Sequence, residues 1–189
     1  MKDRQDKSET LYFIALVPHK TLRREIREIK EQFRDEFAAG HALKSPAHIT
    51  LQIPFKRNSS VESTLSVILE KFASGEEPFT VSLNGFGCFA PRVIFIRIMD
   101  HEPIKALHGR LKQKLTEELG FSEGEIMKDV QPHITVATRD LAKEAFREAW
   151  PEFESMEFTG SFPVNSLFLL KHNGRSWDIY KEFTFGHNG

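Results

Sequence analysis

The sequence predicts an α+β fold: a bilobal, pseudo-twofold duplication in which two antiparallel-rich sheets form a central cleft with helices on the outside. Three observations predict it. A short apolar run at residues 11–17 (LYFIALV) returns at 93–99 (VIFIRIM). The triplet His-Ile-Thr stands at 48–50 and again at 133–135. A Phe-Thr pair opens a strand-like segment at Phe79 and another at Phe158. The offsets are 82, 85 and 79 residues in one order, which marks an internal repeat over 11–90 and 93–171.

Each element has its own local cause. Residues 11–17 end at Pro18 and read as a buried strand. Leu22, Ile26, Ile29, Phe33 and Phe37 recur at spacings of three and four, so residues 20–38 predict a helix with one apolar stripe. Its basic residues Lys20, Arg23, Arg24, Arg27 and Lys30, interleaved with Glu25, Glu28 and Glu31, predict a salt-bridged outer face. Residues 47–53 form the strand of the first triplet. Val61, Leu65, Ile68, Leu69 and Phe72 mark a second helix. Residues 79–89 alternate loosely around Gly85 and Gly87, a strand with a bulge.

The second copy follows. After the strand at 93–99, Ile104, Leu107, Leu111, Leu115 and Leu119 form an amphipathic helix that Gly120 stops. Residues 133–138 are the strand of the second triplet, 140–150 a helix, and Phe158-Thr159 open a further strand. Two more strands complete the chain, with Asn173-Gly174 as the hairpin turn between them. No linker separates the copies, so residues 11–189 are expected to form one domain of intertwined lobes after a disordered tail at 1–10.

Composition bounds the function. Of 189 residues, 40% are hydrophobic, which places the chain among ordinary globular proteins. Lys and Arg total 26 against 27 Asp and Glu, so no basic surplus exists to coat a nucleic acid, and any nucleotide must bind at a local site. Cys88 is the single cysteine, so no internal disulfide can form, which suits a cytoplasmic location. The N-terminal residues are polar, unlike a signal peptide, and no run approaches a membrane span. Neither a P-loop nor a dinucleotide-binding glycine motif occurs. With one Cys, and with His19, His41, His101, His108, His172 and His187 scattered outside any motif, no metal site is expected. No cofactor is expected either.

The chemistry sits in the two triplets. Side chains on a strand alternate between faces. His48 and Thr50 therefore share one face while Ile49 and Leu51 anchor the other, and His133 and Thr135 oppose Ile134 and Val136 in the same way. At about 3.3 Å per residue, His and Thr stand roughly 6.6 Å apart within each pair. A pseudo-twofold axis would turn both faces into one cleft. Two imidazoles and two hydroxyls around a phosphodiester suit its cleavage. One neutral His takes a proton from the attacking group, the other, protonated, gives one to the leaving oxygen, and the Thr hydroxyls donate to the phosphate oxygens. Imidazole, with an ordinary pKa of about 6.5, holds both forms near neutrality. No metal is needed, and either His can serve as base.

His48-Ile49-Thr50-Leu51 and His133-Ile134-Thr135-Val136 resemble the paired His-x-Thr-x motifs of the two-histidine phosphoesterase superfamily, which includes 2′-5′ RNA ligase-like proteins and cyclic phosphodiesterases. The resemblance runs from Leu11 to about Lys171. It implies hydrolysis of a 2′,3′-cyclic phosphate or related cyclic phosphodiester of a nucleotide or RNA end, with 2′-5′ RNA ligation in some members. It also implies His48 and His133 as the acid and base, with Thr50 and Thr135 as phosphate ligands. Many ligase-like members carry a basic residue shortly after the second motif. Here Arg139 comes one place later, which turns it to another face if the strand continues.

Phe55, Lys56 and Arg139 are candidate substrate contacts. Phe55 could stack on a base, and Lys56 could bind a further phosphate. Lys44, Arg57 and Lys128 also flank the motifs, and Trp177 and Tyr180 follow the hairpin turn. The competing reading of each is ordinary surface charge or core packing. Cys88 reads as inert core. The leading expectation is a monomeric enzyme acting on a nucleotide or RNA terminus. A non-catalytic binding module of the same fold, and a structural protein with an incidental cleft, are the alternatives.

Overall fold

The computed structural model describes residues 9–186. The expected tail over residues 1–10 lies outside the described residues except for Glu9 and Thr10, which already belong to strand β1 (Glu9–Leu16). β1 is followed by helix α1 (Lys20–Phe37), a 3₁₀ turn (His41–Lys44), strand β2 (Ile49–Asn58), helix α2 (Glu62–Ser74) and strand β3 (Phe79–Phe89). The same order returns as β4 (Val93–Ile98), α3 (Glu102–Leu119), β5 (His133–Ala137), α4 (Lys143–Ser155) and β6 (Thr159–Val164). Strands β7 (Ser166–His172) and β8 (Trp177–Thr184) close the chain.

The strands form two four-stranded antiparallel sheets, ordered β2-β1-β7-β8 and β5-β4-β3-β6. The sheets do not coincide with the halves of the sequence. β3, from the first half, lies in the second sheet, where it pairs with β4 and β6. The two Phe-Thr segments are thus neighbours in one sheet, and β7 and β8 fill the corresponding places in the other. The helices cross as well: α1 packs on β5, and α3 on β2. One apolar cluster runs through both sheets and their helices.

Local features follow from the residues named above. α1 buries Leu22, Ile26 and Phe33, and His19 caps it, its Nδ1 accepting the Leu22 amide at 3.3 Å. Gly120 ends α3 in the left-handed conformation, φ 64°. Gly85, φ 62°, sits where the β3–β4 register slips, so the expected bulge is a real one. α4 begins three residues later than expected and runs on through Pro151. Its stripe of Phe146, Ala149 and Phe153 is buried, and Phe153 stacks on Phe33 at 4.3 Å, which offsets the bond proline removes. Among the described residues no helix is long and apolar enough to cross a membrane.

On the sheet containing β1, Tyr12, Ile14 and Leu16 face the main core. Phe13, Ala15 and Val17 face the other way, into a smaller cluster with Leu170, Phe168 and Trp177. That second face is the floor of a cleft.

Candidate active site

The two triplets sit at edge strands of different sheets. β2 is an edge of the first sheet and β5 of the second. His48 stands one residue before β2, while His133 opens β5. In both, the intervening apolar residues are fully packed: Ile49, Leu51, Ile134 and Val136 are at most 1% exposed. His48, Thr50, His133 and Thr135 are half-buried on the opposite face.

Both imidazoles are held by one local device. His48 Nδ1 lies 2.7 Å from the Pro46 carbonyl oxygen, and His133 Nδ1 lies 2.6 Å from that of Gln131. A carbonyl only accepts, so Nδ1 carries the proton in each case, and Nε2 is left as the working nitrogen. Aromatic rings steady both. Phe13 packs on His48 at 4.8 Å and Phe95 on His133 at 5.1 Å, with Phe89 edge-on to His133 at 5.2 Å. Phe95 reaches this place because Gly87 lies beneath its ring; a Cβ there would come within 2.6 Å of it.

A cavity of about 190 Å³ is lined by His48, Thr50 and Thr135, together with Thr138, Arg139 and Trp177. His133 faces a second cavity of about 420 Å³, with Arg97, His101 and Lys105. The four motif side chains therefore do not surround a single point. Three share one cavity, and His133 lines the other. The two histidines still feel each other, since a charge on His133 disfavours one on His48.

Burial disfavours a charge on either ring in the free protein. Burial pushes His48 down to about 4; the Pro46 carbonyl opposes this, and the charges of Lys30 and His133 add to it. Burial also lowers His133, against the Gln131 carbonyl and with help from His101.

Arg139 reaches the cavity by a route the sequence did not reveal. β5 stops at Ala137, and Arg139 adopts the left-handed conformation, φ 55°. The strand does not continue, so the one-residue offset does not turn Arg139 away. Asp140 next to it accepts the His41 amide at 2.8 Å, tying this turn to the 3₁₀ turn across the cleft.

Two expected contacts lie elsewhere. Phe55 is 4% exposed and packs against Tyr12 and Phe121, so its ring is core and cannot stack on a base. Lys56 is exposed beside Glu9, with an ion pair of 3.6 Å. It stands eight residues from His48, and at about 3.3 Å per strand residue that is too far to share its phosphate. Arg57 is held by Glu125 at 2.6 Å, and Lys128 does not line either cavity.

Other residues do line the site. Lys44 borders the cavity as a flanking cation. Trp177 forms a wall, edge-on to Phe13 at 4.7 Å. His41, which belongs to no motif, is brought there by the 3₁₀ turn. Lys30 was expected on the outer face of α1 but is 3% exposed. Its ammonium donates to the Ala42 and Ser45 carbonyls at 3.0 and 3.1 Å, holding the segment before His48. Burial, helped by the Arg27 charge, lowers it to about 8. Among the described residues no cluster of three or more His, Cys, Asp or Glu could hold a metal ion.

The family model of the 2′-5′ RNA ligase superfamily matches residues 18–176. A protein of Oceanobacillus iheyensis, provisionally named a phosphoesterase, is 25% identical over 180 residues, covering 94% of this chain and 99% of that protein. The crystal structure of the Thermus thermophilus protein TT0787 superposes with a TM-score of 0.68 at 22% identity, over 95% of this chain and 100% of that one. That of Escherichia coli LigT complexed with 3′-AMP gives 0.64 at 17% identity, over 95% and 100% of the two chains. These two structures share the fold of this chain.

Proposed function

Because this chain belongs to the 2′-5′ RNA ligase superfamily, the two-histidine phosphoesterase group, we propose that its cleft opens a 2′,3′-cyclic phosphate, or a related cyclic phosphodiester, at the end of a nucleotide or RNA. The observation that carries this reading is the matched pair of imidazoles. Each has Nδ1 tied to the carbonyl two residues back, which leaves Nε2 as the working nitrogen, and His48 shares its cavity with Thr50, Thr135 and Arg139. The 3′-AMP held by LigT, a protein of the same fold, supports the substrate class.

In the proposed reaction a water oxygen attacks phosphorus while His48 Nε2 takes its proton. The bond from phosphorus to one ribose oxygen breaks, and His133 Nε2 protonates that oxygen. One water is consumed, a phosphomonoester forms, and the two imidazoles exchange protonation states until solvent resets them. His48 is assigned as base because burial pushes it down to about 4, with the Lys30 charge adding to this, so its ring is ready to take a proton. The bound anion supplies the field that loads His133 with its proton. Thr50, Thr135 and Arg139 hold the non-bridging oxygens. Both proton transfers come from side chains, so the scheme runs without a metal. With the 5′-hydroxyl of a second strand in place of water, the same ring opening, in which the bond from phosphorus to the 3′-oxygen breaks and that oxygen is protonated, joins the ends through a 2′-5′ bond. The protein acts as a monomer.

The test is incubation of wild type, His48→Ala and His133→Ala with 2′,3′-cyclic nucleotides and a short RNA ending in a cyclic phosphate, in EDTA. Each variant should lose about 10²- to 10⁴-fold in rate. Wild-type turnover by both variants would refute the assignment. Tight nucleotide binding with no product would identify a binding module instead.

A further inference from the structure

α1 carries a charge pattern that the reaction does not use. Lys20, Arg23, Arg24, Arg27 and Lys30 recur at spacings of three and four, so they share one flank of the helix. Glu25, Glu28 and Glu36 fall away from that flank, while Glu31 lies within it and pairs with Arg27. The alternation of signs along the chain therefore becomes a largely basic flank around the axis, with Glu31 as its carboxylate.

The basic flank lines a groove of about 580 Å³, and Leu43 with residues 45–47 completes the lining. That is three times the volume of the cavity at His48 and falls within the usual range for ligand sites, about 300–1,000 Å³. Of the five cations only Arg27 has an ion-pair partner among the described residues, Glu31 at 2.9 Å. The Arg23 Nε is buried with no hydrogen-bond partner among them. In a chain of net charge −1, so many cations without counter-charges on one wall call for an anion. No aromatic side chain among the described residues lines the groove, so it is built to hold phosphates and not to stack bases.

The groove abuts the candidate active site. Ser45 lines both, and Pro46, whose carbonyl orients His48, lines the groove. The smaller cavity has room for little beyond a terminal phosphate and its sugar, so a longer substrate must leave it over a rim.

We propose that this groove binds the sugar-phosphate backbone of single-stranded RNA whose end occupies the cavity at His48, without regard to base sequence. The proposal rests on reading that cavity as the site of a nucleotide end, and it makes the natural substrate an RNA strand instead of a free cyclic mononucleotide.

Arg24 and Arg27 are exposed, so both can be replaced without touching the core. Wild type, Arg24→Gln/Arg27→Gln and a control with the same charge change on α2 and α3, Lys71→Gln/Lys114→Gln, would be titrated into a short 5′-labelled oligoribonucleotide with a 3′-phosphate, over a range of salt. The arginine variant should bind roughly ten-fold more weakly at low salt. Its log–log salt dependence should fall in steepness by about 1.4, at about 0.7 per lost contact on a single strand. The control should follow wild type. Wild-type titration by the arginine variant would overturn the proposal, as would absence of RNA binding or equally good competition by polyglutamate.

Opening of 2′,3′-cyclic AMP, measured on the same preparations, separates the two readings. If wild type does not open it, the proposed reaction fails while the binding comparison still decides the groove. If it does, the arginine variant should match it; a parallel loss there would overturn the groove by making the arginines part of the reaction site.

Discussion

Replacing Lys30 by Met tests how the wall beside His48 is held. The ammonium is 3% exposed and donates to the Ala42 and Ser45 carbonyls. Met fills similar space but leaves two carbonyls without that donor, at about 1–3 kcal/mol each. It also removes a buried charge. Folding moves the Lys30 ammonium from 10.5 to about 8, which at about 1.36 kcal/mol per pH unit costs roughly 3 kcal/mol wherever both states are charged. Near pH 7 the two effects largely offset, and the variant should lose only about 1 kcal/mol.

The sign of the pH dependence is definite. Between pH 8 and 10.5 the unfolded chain holds the Lys30 proton and the folded chain has lost it, so wild-type stability gains through that window. The burial cost is absent above 10.5 and complete below about 8. Met has no such window. Urea unfolding of both proteins at pH 7 and at pH 10.5 should therefore show the variant's deficit widening by about 3 kcal/mol, with all other titrations common to both. A deficit that stays constant to within about 1 kcal/mol would refute the view of Lys30 as a buried, charged tether.

The pH profile of kcat/KM follows from the two depressed imidazoles. The base is ready above about pH 4, where His48 loses its proton, and the acid in the free enzyme is lost below the ordinary 6.5 of histidine. Cyclic nucleotide turnover should thus peak on the acid side of neutrality, and an optimum above pH 7.5 would count against the assigned roles. Arg139→Gly removes the guanidinium and relieves a left-handed backbone, φ 55°, which costs a non-glycine residue about 1 kcal/mol or more. Thermal unfolding should shift by less than about 1 kcal/mol, while KM for a cyclic nucleotide rises about ten-fold or more. An unchanged KM would show that Arg139 does not hold the phosphate.

Periodicity and motif carried much of this protein into view. Alternation in the two His-Ile-Thr segments determined that Ile49, Leu51, Ile134 and Val136 go inward and the His and Thr go together, because adjacent strand residues must face opposite ways. Spacings of three and four located the first three helices, and the repeated landmarks announced the α+β class. These are properties of a few consecutive residues, so they survive without knowledge of partners.

What only the tertiary structure decided depends on partners distant in sequence. β3 joins the sheet of the second half because its edge pairs with β4 and β6, a choice no local pattern encodes. Phe55 is core because Phe121 closes over it, and Lys30 is buried because residues 42–45 fold back across α1. Arg139 turns into the cleft through a single left-handed residue, and His41 and Trp177 reach the same cavity from opposite ends of the chain. Sequence patterning assigns a side chain to a face of its own element. Which element covers that face, and which loop closes over it, is determined only when the whole core packs at once.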